Sequence, residues 1–154
     1  MLNQEPFKLH SITRQKFVGF LEHLTTEQLA DIPYGFNNNI WWNIVHVVVT
    51  QQLLCYYLSD NDLLIDMAWI ENYKKGTAPN ADFPMPEEIA AIKNLLMSTQ
   101  QQLQIDYFEG KLNSFKKYSS SYGYTMNSIE DVILFNLCHE SMHLGNALSM
   151  KKLV

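Results

Sequence analysis

The chain has 154 residues, 47% of them hydrophobic, which is enough apolar material for one core, so we expect a single domain over residues 1–154. Its net charge is −5 and its 11 lysine and arginine residues form no basic stripe, which disfavours nucleic acid as a partner. Residues 1–10 lack the pattern of a signal peptide, and the longest apolar stretch, residues 45–49, is too short to span a membrane, so we expect a cytoplasmic protein without membrane association.

Helical periodicity dominates the first half of the sequence. Residues 11–24 are predicted as the first helix, because apolar residues recur there at three- and four-residue steps. A threonine at position 25 or 26 is expected to cap a short turn over residues 27–30. The second helix is predicted from Ile40, after a run of asparagines that can accept its free N–H groups, to about residue 60. It is apolar on almost every face, which is typical of a buried helix.

The second half predicts two more long helices. Residues 61–85 form a long crossover that has the pattern of a short helix near Trp69, and a third helix is predicted from Pro86. Residues 110–127 are predicted as a loop that covers one end of the molecule. A fourth helix is expected after Ser128, which begins a capping-box pattern. The fold class is therefore predicted as all-α, a four-helix bundle with a long crossover between the second and third helices. Cys55 and Cys138 are expected to be buried free thiols.

Three histidines lie on core-facing stripes of the predicted helices. His139 and His143 are four residues apart, so they project from nearly the same face of the fourth helix, and His46 lies on the second helix. A single buried histidine is more often neutral and hydrogen-bonded to a neighbour. Three that can converge on one ion favour a metal site. His10 and His23 lie outside these stripes and are expected at the surface or partly buried.

The sequence His-Glu-Ser-Met-His at 139–143 also fits the metalloprotease pattern H-E-x-x-H. A zinc protease is disfavoured, because no further histidine, cysteine or acidic residue follows, and a two-metal carboxylate site is disfavoured because the second helix has no acidic residue. One metal held by three histidines, with a position open to substrate, remains. Glu140 is a candidate catalytic base or an acceptor near the ligands; the alternative is a solvated or salt-bridged helix residue.

Aromatic and amide side chains near the histidines are candidates for binding a substrate. Trp41, Trp42, Tyr122 and Tyr124 can line an aromatic pocket, although large aromatics at helical spacing are more often part of a core. Asn136 lies on the same helical stripe as the histidines. Trp42, Asn136 and Tyr122 are therefore the predicted substrate-binding residues.

Two segments carry a resemblance to a known family: Asn-Ile-Trp-Trp-Asn-Ile-Val-His at 39–46 and His-Glu-Ser-Met-His-Leu-Gly at 139–145. In these segments, and in the order of its helices, the chain resembles the DinB-like (damage-inducible) superfamily, which includes bacterial low-molecular-weight-thiol transferases. The resemblance implies a four-helix bundle, frequently a homodimer, in which His46, His139 and His143 hold one divalent metal ion, nickel or zinc.

The resemblance also implies a function for this metal site. One hypothesis is a metal-dependent S-transferase that passes a small thiol to an electrophilic substrate, or a related metal-assisted hydrolase. The alternative is a non-catalytic, metal-stabilised homodimeric binding module. In either case the expected partners are a small molecule, for the enzyme a low-molecular-weight thiol, and a second copy of the chain.

Overall fold

The fold is given by a computed structural model that describes residues 1–80 and 82–154. Within these residues, the helices are α1 (Glu5–His23), α2 (Thr26–Ala30), α3 (Ile40–Gln51), α4 (Met67–Tyr73), α5 (Pro86–Phe108) and α6 (Ile129–Met150). A π-helical turn, Gln52–Tyr56, and a 3-10 turn, Tyr57–Ser59, prolong α3, and a small hairpin pairs β1 (Tyr118–Ser119) with β2 (Thr125–Met126). The long helices α1, α3, α5 and α6 pack against one another. The predicted all-α fold is confirmed.

The first helix begins earlier than predicted. It starts at Glu5 and not at residue 11, because Pro6 occupies its first turn and the buried face already includes Phe7. The short helix α2 follows with a capping box, in which the Thr25 hydroxyl accepts from the Gln28 N–H and the Gln28 side chain accepts from the Thr25 N–H. The predicted threonine cap is confirmed.

The buried helix α3 begins at Ile40, as predicted, and Asn39 caps it by accepting a hydrogen bond from the N–H of Trp42 at 2.7 Å. Every residue from 40 to 49 is buried. Regular α-helix ends at Gln51, earlier than predicted, but the π and 3-10 turns continue the helical path to Asp60, whose φ of 55° ends it. The periodicity of the sequence does not distinguish these wider and narrower turns from α-helix.

The crossover and the hairpin shape the side of the bundle near α3. The helix α4 in the crossover packs on α3, where the indole N–H of Trp41 donates to the Tyr73 hydroxyl at 2.8 Å. The helix α5 begins at Pro86 and α6 follows the Ser128 cap, both as predicted. The loop prediction is wrong at the two strands of the hairpin, because strands of two residues are too short to carry an alternating pattern.

The two cysteines are both free, but they differ in burial. Cys55 is buried, and burial raises the pKa of its thiol. Cys138 is exposed, so the prediction of a second buried thiol is wrong. The buried stripe of α6 passes through Asn136, Glu140 and His143, and Cys138 lies on the other side of the helix.

A buried ion pair joins all four long helices. Arg14 on α1 and Glu140 on α6 are both 0% exposed, and the guanidinium contacts the carboxylate side-on, with Nε to Oε2 at 2.7 Å and Nη2 to Oε1 at 2.8 Å. Arg14 also donates through Nη1 to the Leu96 carbonyl of α5 and through Nη2 to the Gln51 side chain of α3, each at 3.2 Å. One side chain thus contacts each of the other three helices.

Two further side chains complete the environment of Glu140. His10 Nε2 donates to Oε1 at 2.9 Å, and Asn136 Nδ2 donates to the same oxygen at 2.8 Å. His10 is buried, so its predicted place at or near the surface is wrong, whereas His23 is exposed as predicted. The sequence left open whether Glu140 is a base or acceptor near the ligands, or a solvated or salt-bridged helix residue. It forms a salt bridge, but it is buried and not solvated. Burial opposes ionisation of this carboxyl, yet Arg14 and His10 outweigh that effect and hold its pKa well below its usual range.

Replacing Glu140 by glutamine is expected to destabilise the fold strongly, because it leaves the Arg14 charge buried without a counter-ion. The expected loss is about 3–5 kcal/mol in the free energy of unfolding, measured by urea denaturation. The matched control is Glu22→Gln, since Glu22 forms an exposed ion pair with Lys93 and should change the stability little. Equal effects of the two substitutions would contradict the role given to the buried pair.

Candidate metal centre

The structure brings together the three histidines that the sequence singles out. Their ligand atoms all lie within 4.8 Å of one another, with His46 coming from α3 and the other two from α6. The Nε2 atoms of His139 and His143 are 3.1 Å apart. Two nitrogens bound at about 2.0–2.1 Å to one tetrahedral zinc ion would be separated by about 3.3 Å, so this pair already has a spacing suited to one ion.

Two of the rings are oriented by hydrogen bonds on their outer sides. His46 Nδ1 lies 2.7 Å from the carbonyl oxygen of Tyr73, and His143 Nδ1 lies 2.7 Å from Oδ1 of Asn43. The amide of Asn43 is itself fixed, because its Nδ2 donates to the Asn39 carbonyl at 2.7 Å. Each Nδ1 therefore carries the proton and donates it, which leaves the Nε2 lone pair of both rings directed to the common centre.

The third ring has the environment expected of a metal ligand. His139 Nε2 faces the Nε2 lone pair of His143, so without an ion it must donate its proton there. Its Nδ1 is then buried without a hydrogen-bond partner among the described residues. A cation between the rings satisfies both Nε2 lone pairs at once. Imidazole is a good ligand for zinc and nickel, so the residues present fit a single divalent ion of this kind.

The rings are in the protonation state that binds metal. Burial lowers the pKa of His46, although the hydrogen bond to the Tyr73 carbonyl acts in the other direction. Burial and the neighbouring rings lower the pKa of His139 to about 4 and that of His143 to about 3. All three are therefore neutral at neutral pH, so an ion binds without net release of protons, and His139 only has to carry its proton on Nδ1 in place of Nε2.

The family is decided by comparison with known proteins. Residues 9–147 match the DinB superfamily. The chain belongs to this superfamily. The match includes all of α3 and α5 and the part of α6 that carries the histidines, so the resemblance drawn from the two sequence segments is confirmed. No curated protein matches the sequence closely enough to count as a relative. The single domain over residues 1–154 stays a prediction.

In this DinB-superfamily chain, a cavity of about 440 Å³ opens beside the three histidines. His46 and His139 form part of its wall, and most of its remaining wall is apolar. Its other lining residues are Thr50, Leu53, Leu54, Tyr57, Leu58, Lys75, Tyr118, Ser120, Ser121, Tyr122, Phe135 and Met142. Volumes of about 300–1,000 Å³ are typical of small-molecule sites, so the cavity has room for a substrate next to the histidines.

The predicted substrate-binding residues occupy different places. Tyr122 lines the cavity and is exposed. Trp42 is buried and stacks on His46 with ring centroids 4.3 Å apart, while its indole N–H donates to the Thr77 hydroxyl. Asn136 is buried and donates to Glu140. Of the three, the structure brings only Tyr122 to the wall of the cavity, and the other two support groups behind it.

Several residues near the site were not found from the sequence. Thr50 lies one helical turn after His46, and its hydroxyl is 3.2 Å from His46 Nε2, so its spacing alone was a usable signal. Asn43 lies among the apolar residues of α3, and nothing in the local sequence indicates that its side chain contacts His143 on α6. Lys75 comes from the crossover, which has no periodicity from which its position could be inferred.

Among the helices of the described residues, none is both long and apolar enough to cross a bilayer.

The stability of the metal-free protein is expected to fall as the pH decreases from 6.5 to 5. Histidines in the unfolded chain take up protons near pH 6.5, whereas folded His139 and His143 stay neutral until about pH 4 and 3. The unfolded state therefore binds more protons in this range, and each such histidine steepens the pH dependence by up to about 1.4 kcal/mol per pH unit.

The measurement is urea denaturation of chelator-treated protein at several pH values. His139→Gln should reduce the slope of unfolding free energy against pH, because it removes one of these groups. His23→Gln is the matched substitution at an exposed position of α1 and should leave the slope as it is. An unchanged slope in the His139 variant would be evidence against a neutral, buried ring.

Proposed function

We propose that the protein is a divalent-metal-dependent transferase, which binds a small thiol at the ion held by His46, His139 and His143 and passes it to an electrophilic substrate. The observation that carries this proposal is the convergence of three neutral imidazoles at the wall of a largely apolar cavity. Three protein ligands leave a coordination position for a substrate, whereas a structural zinc site is normally closed by four.

The chemistry divides between the ion and the surrounding residues. A divalent ion supplies Lewis acidity, which lowers the pKa of a coordinated thiol. Asn43 and the Tyr73 carbonyl hold the rings of His143 and His46 in their binding orientation. The apolar wall, including Phe135, excludes water that would compete with the thiol. Transfer then forms a carbon–sulfur bond, the leaving group of the electrophile departs, and the thiol proton passes to solvent.

Glu140 supports this arrangement from behind. Its carboxylate is engaged by Arg14, His10 and Asn136. It is adjacent in sequence to His139 and three residues before His143. These contacts favour a positioning role for Glu140, in place of the catalytic base considered from the sequence. A substrate hydrolysed at the same ion is a related reaction, and the apolar character of the cavity favours thiol transfer over it.

A second candidate function is a non-catalytic, metal-stabilised homodimeric binding module. The observation in its favour is a set of exposed apolar side chains on α1 and α5, which pairing of two copies along these helices would bury. They are Leu9, Ile12, Ile105 and Phe108. A homodimer is compatible with both candidate functions, and we include it in the proposal.

The transferase is tested by conjugation of low-molecular-weight thiols to monochlorobimane, which becomes fluorescent as the carbon–sulfur bond forms and chloride is released. His46→Ala is expected to lower the rate by at least about tenfold, because loss of groups around a metal has effects of this size or more. His23→Ala, at an exposed position, should keep the wild-type rate. Chelation should abolish the activity, and zinc or nickel should restore it.

Equal rates for the wild type, the His46 variant and chelated protein would contradict the transferase. The same samples distinguish the binding module, since an ion that binds the native state raises its melting temperature. A large loss of melting temperature on chelation, with no turnover of any thiol, would support the module instead.

A further inference from the structure

The cavity beside the candidate metal centre is lined by a basic residue and by no acidic one, although the protein as a whole is acidic. The chain as a whole carries a net charge of −5. Among the described residues that line the cavity, none is an aspartate, glutamate or arginine, and Lys75 is the one lysine. Lys75 therefore supplies a positive charge to the cavity in addition to that of the ion proposed at the histidines, which favours a ligand with a negatively charged group away from the ion.

The charge of Lys75 is not paired with a carboxylate, unlike that of its neighbour Lys74, within the described part of the chain. The ammonium of Lys74 lies 2.6 Å from the Glu71 carboxylate, so its charge is already paired. Within the described part of the chain, no carboxylate lies within ion-pair distance of Lys75. Its ammonium is therefore available to an anionic group of a ligand.

The rest of the wall selects an apolar, flat partner. Tyr57, Tyr118, Tyr122 and Phe135 contribute aromatic rings to the lining, and leucines and Met142 contribute aliphatic surface. Aromatic side chains of this kind pack well against other planar groups. Thr50, Ser120 and Ser121 add small, uncharged side chains to the wall.

We propose that this cavity binds an apolar, preferably aromatic, ligand with one carboxylate or sulfonate group. The anionic group pairs with Lys75, the apolar body packs against Tyr122 and Phe135, and the other end is directed to His46 and His139. The inference deepens the proposed function, on which it rests for the identity of this ligand as the electrophilic substrate. Binding of the ligand class itself does not require turnover.

The test uses two naphthalene probes that differ in charge: 1-anilinonaphthalene-8-sulfonate and the uncharged N-phenyl-1-naphthylamine. Binding is followed by fluorescence with metal-free and with zinc-loaded protein. In Lys75→Met the dissociation constant of the sulfonate probe is expected to rise about two- to fivefold, as for loss of one exposed ion pair, while that of the neutral probe stays the same. Lys74→Met is the matched control and should affect neither probe.

A second pair of variants locates the probes. Ser121 lines the cavity and Ser119 does not, and both are exposed. Ser121→Trp should fill the cavity and abolish binding of both probes, whereas Ser119→Trp should not. The proposal is overturned if both probes bind the Ser121 variant as they bind the wild type, if Lys74→Met weakens the sulfonate probe as much as Lys75→Met, or if Lys75→Met affects both probes equally or neither.

The probe experiment separates this proposal from the transferase. If the wild-type protein conjugates no thiol but binds the probes as expected, the transferase is contradicted and the proposed ligand class is supported. If the wild-type protein conjugates thiols but gives any of the contrary probe results, the proposed ligand class is contradicted and the transferase is supported.

Discussion

The side-on ion pair between Arg14 and Glu140 is the contact on which the rest of the structure depends. Two charges buried this deeply are costly to remove from water, and here the cost is offset by two short hydrogen bonds within the pair and by further hydrogen bonds from residues of all four long helices. Because Glu140 lies next to His139 and one turn before His143, the pair also fixes the rotation of α6. The same contact that holds the four helices together therefore sets the direction of two metal-ligand candidates.

Two of the histidines, His143 and His46, are also oriented by hydrogen bonds to α3 and to the end of α4. Asn39 caps α3 and, through its carbonyl, orients Asn43, which in turn accepts from His143. The Tyr73 carbonyl at the end of α4 accepts from His46, so the crossover takes part in the site as well as covering it. The short segment at residues 39–43 thus both begins α3 and orients a metal-ligand candidate. This double role explains why it has two asparagines although it lies at the start of a buried helix.

Local signals in the sequence were sufficient for part of this structure. The starts of α3, α5 and α6 were predictable because Asn39, Pro86 and Ser128 act within one turn of their helices. The histidine cluster was predictable because helical spacing alone places His139 and His143 on one face. Arg14 and His10 were missed, since a charged residue on an apolar face has no local signal for a partner that lies more than 100 positions away. The π turn after Gln51 and the place of Lys75 at the cavity depend in the same way on tertiary packing.

The proposed function requires that His46, His139 and His143 hold one divalent ion and leave one coordination position open. X-ray absorption spectroscopy of the zinc-loaded protein tests it most directly, because the fine structure reports the number and type of atoms bound to the ion. We expect three imidazole nitrogens at about 2.0–2.1 Å from the zinc ion and one additional light atom from solvent or buffer. A sulfur atom at about 2.3 Å, or fewer than three imidazoles, would contradict it.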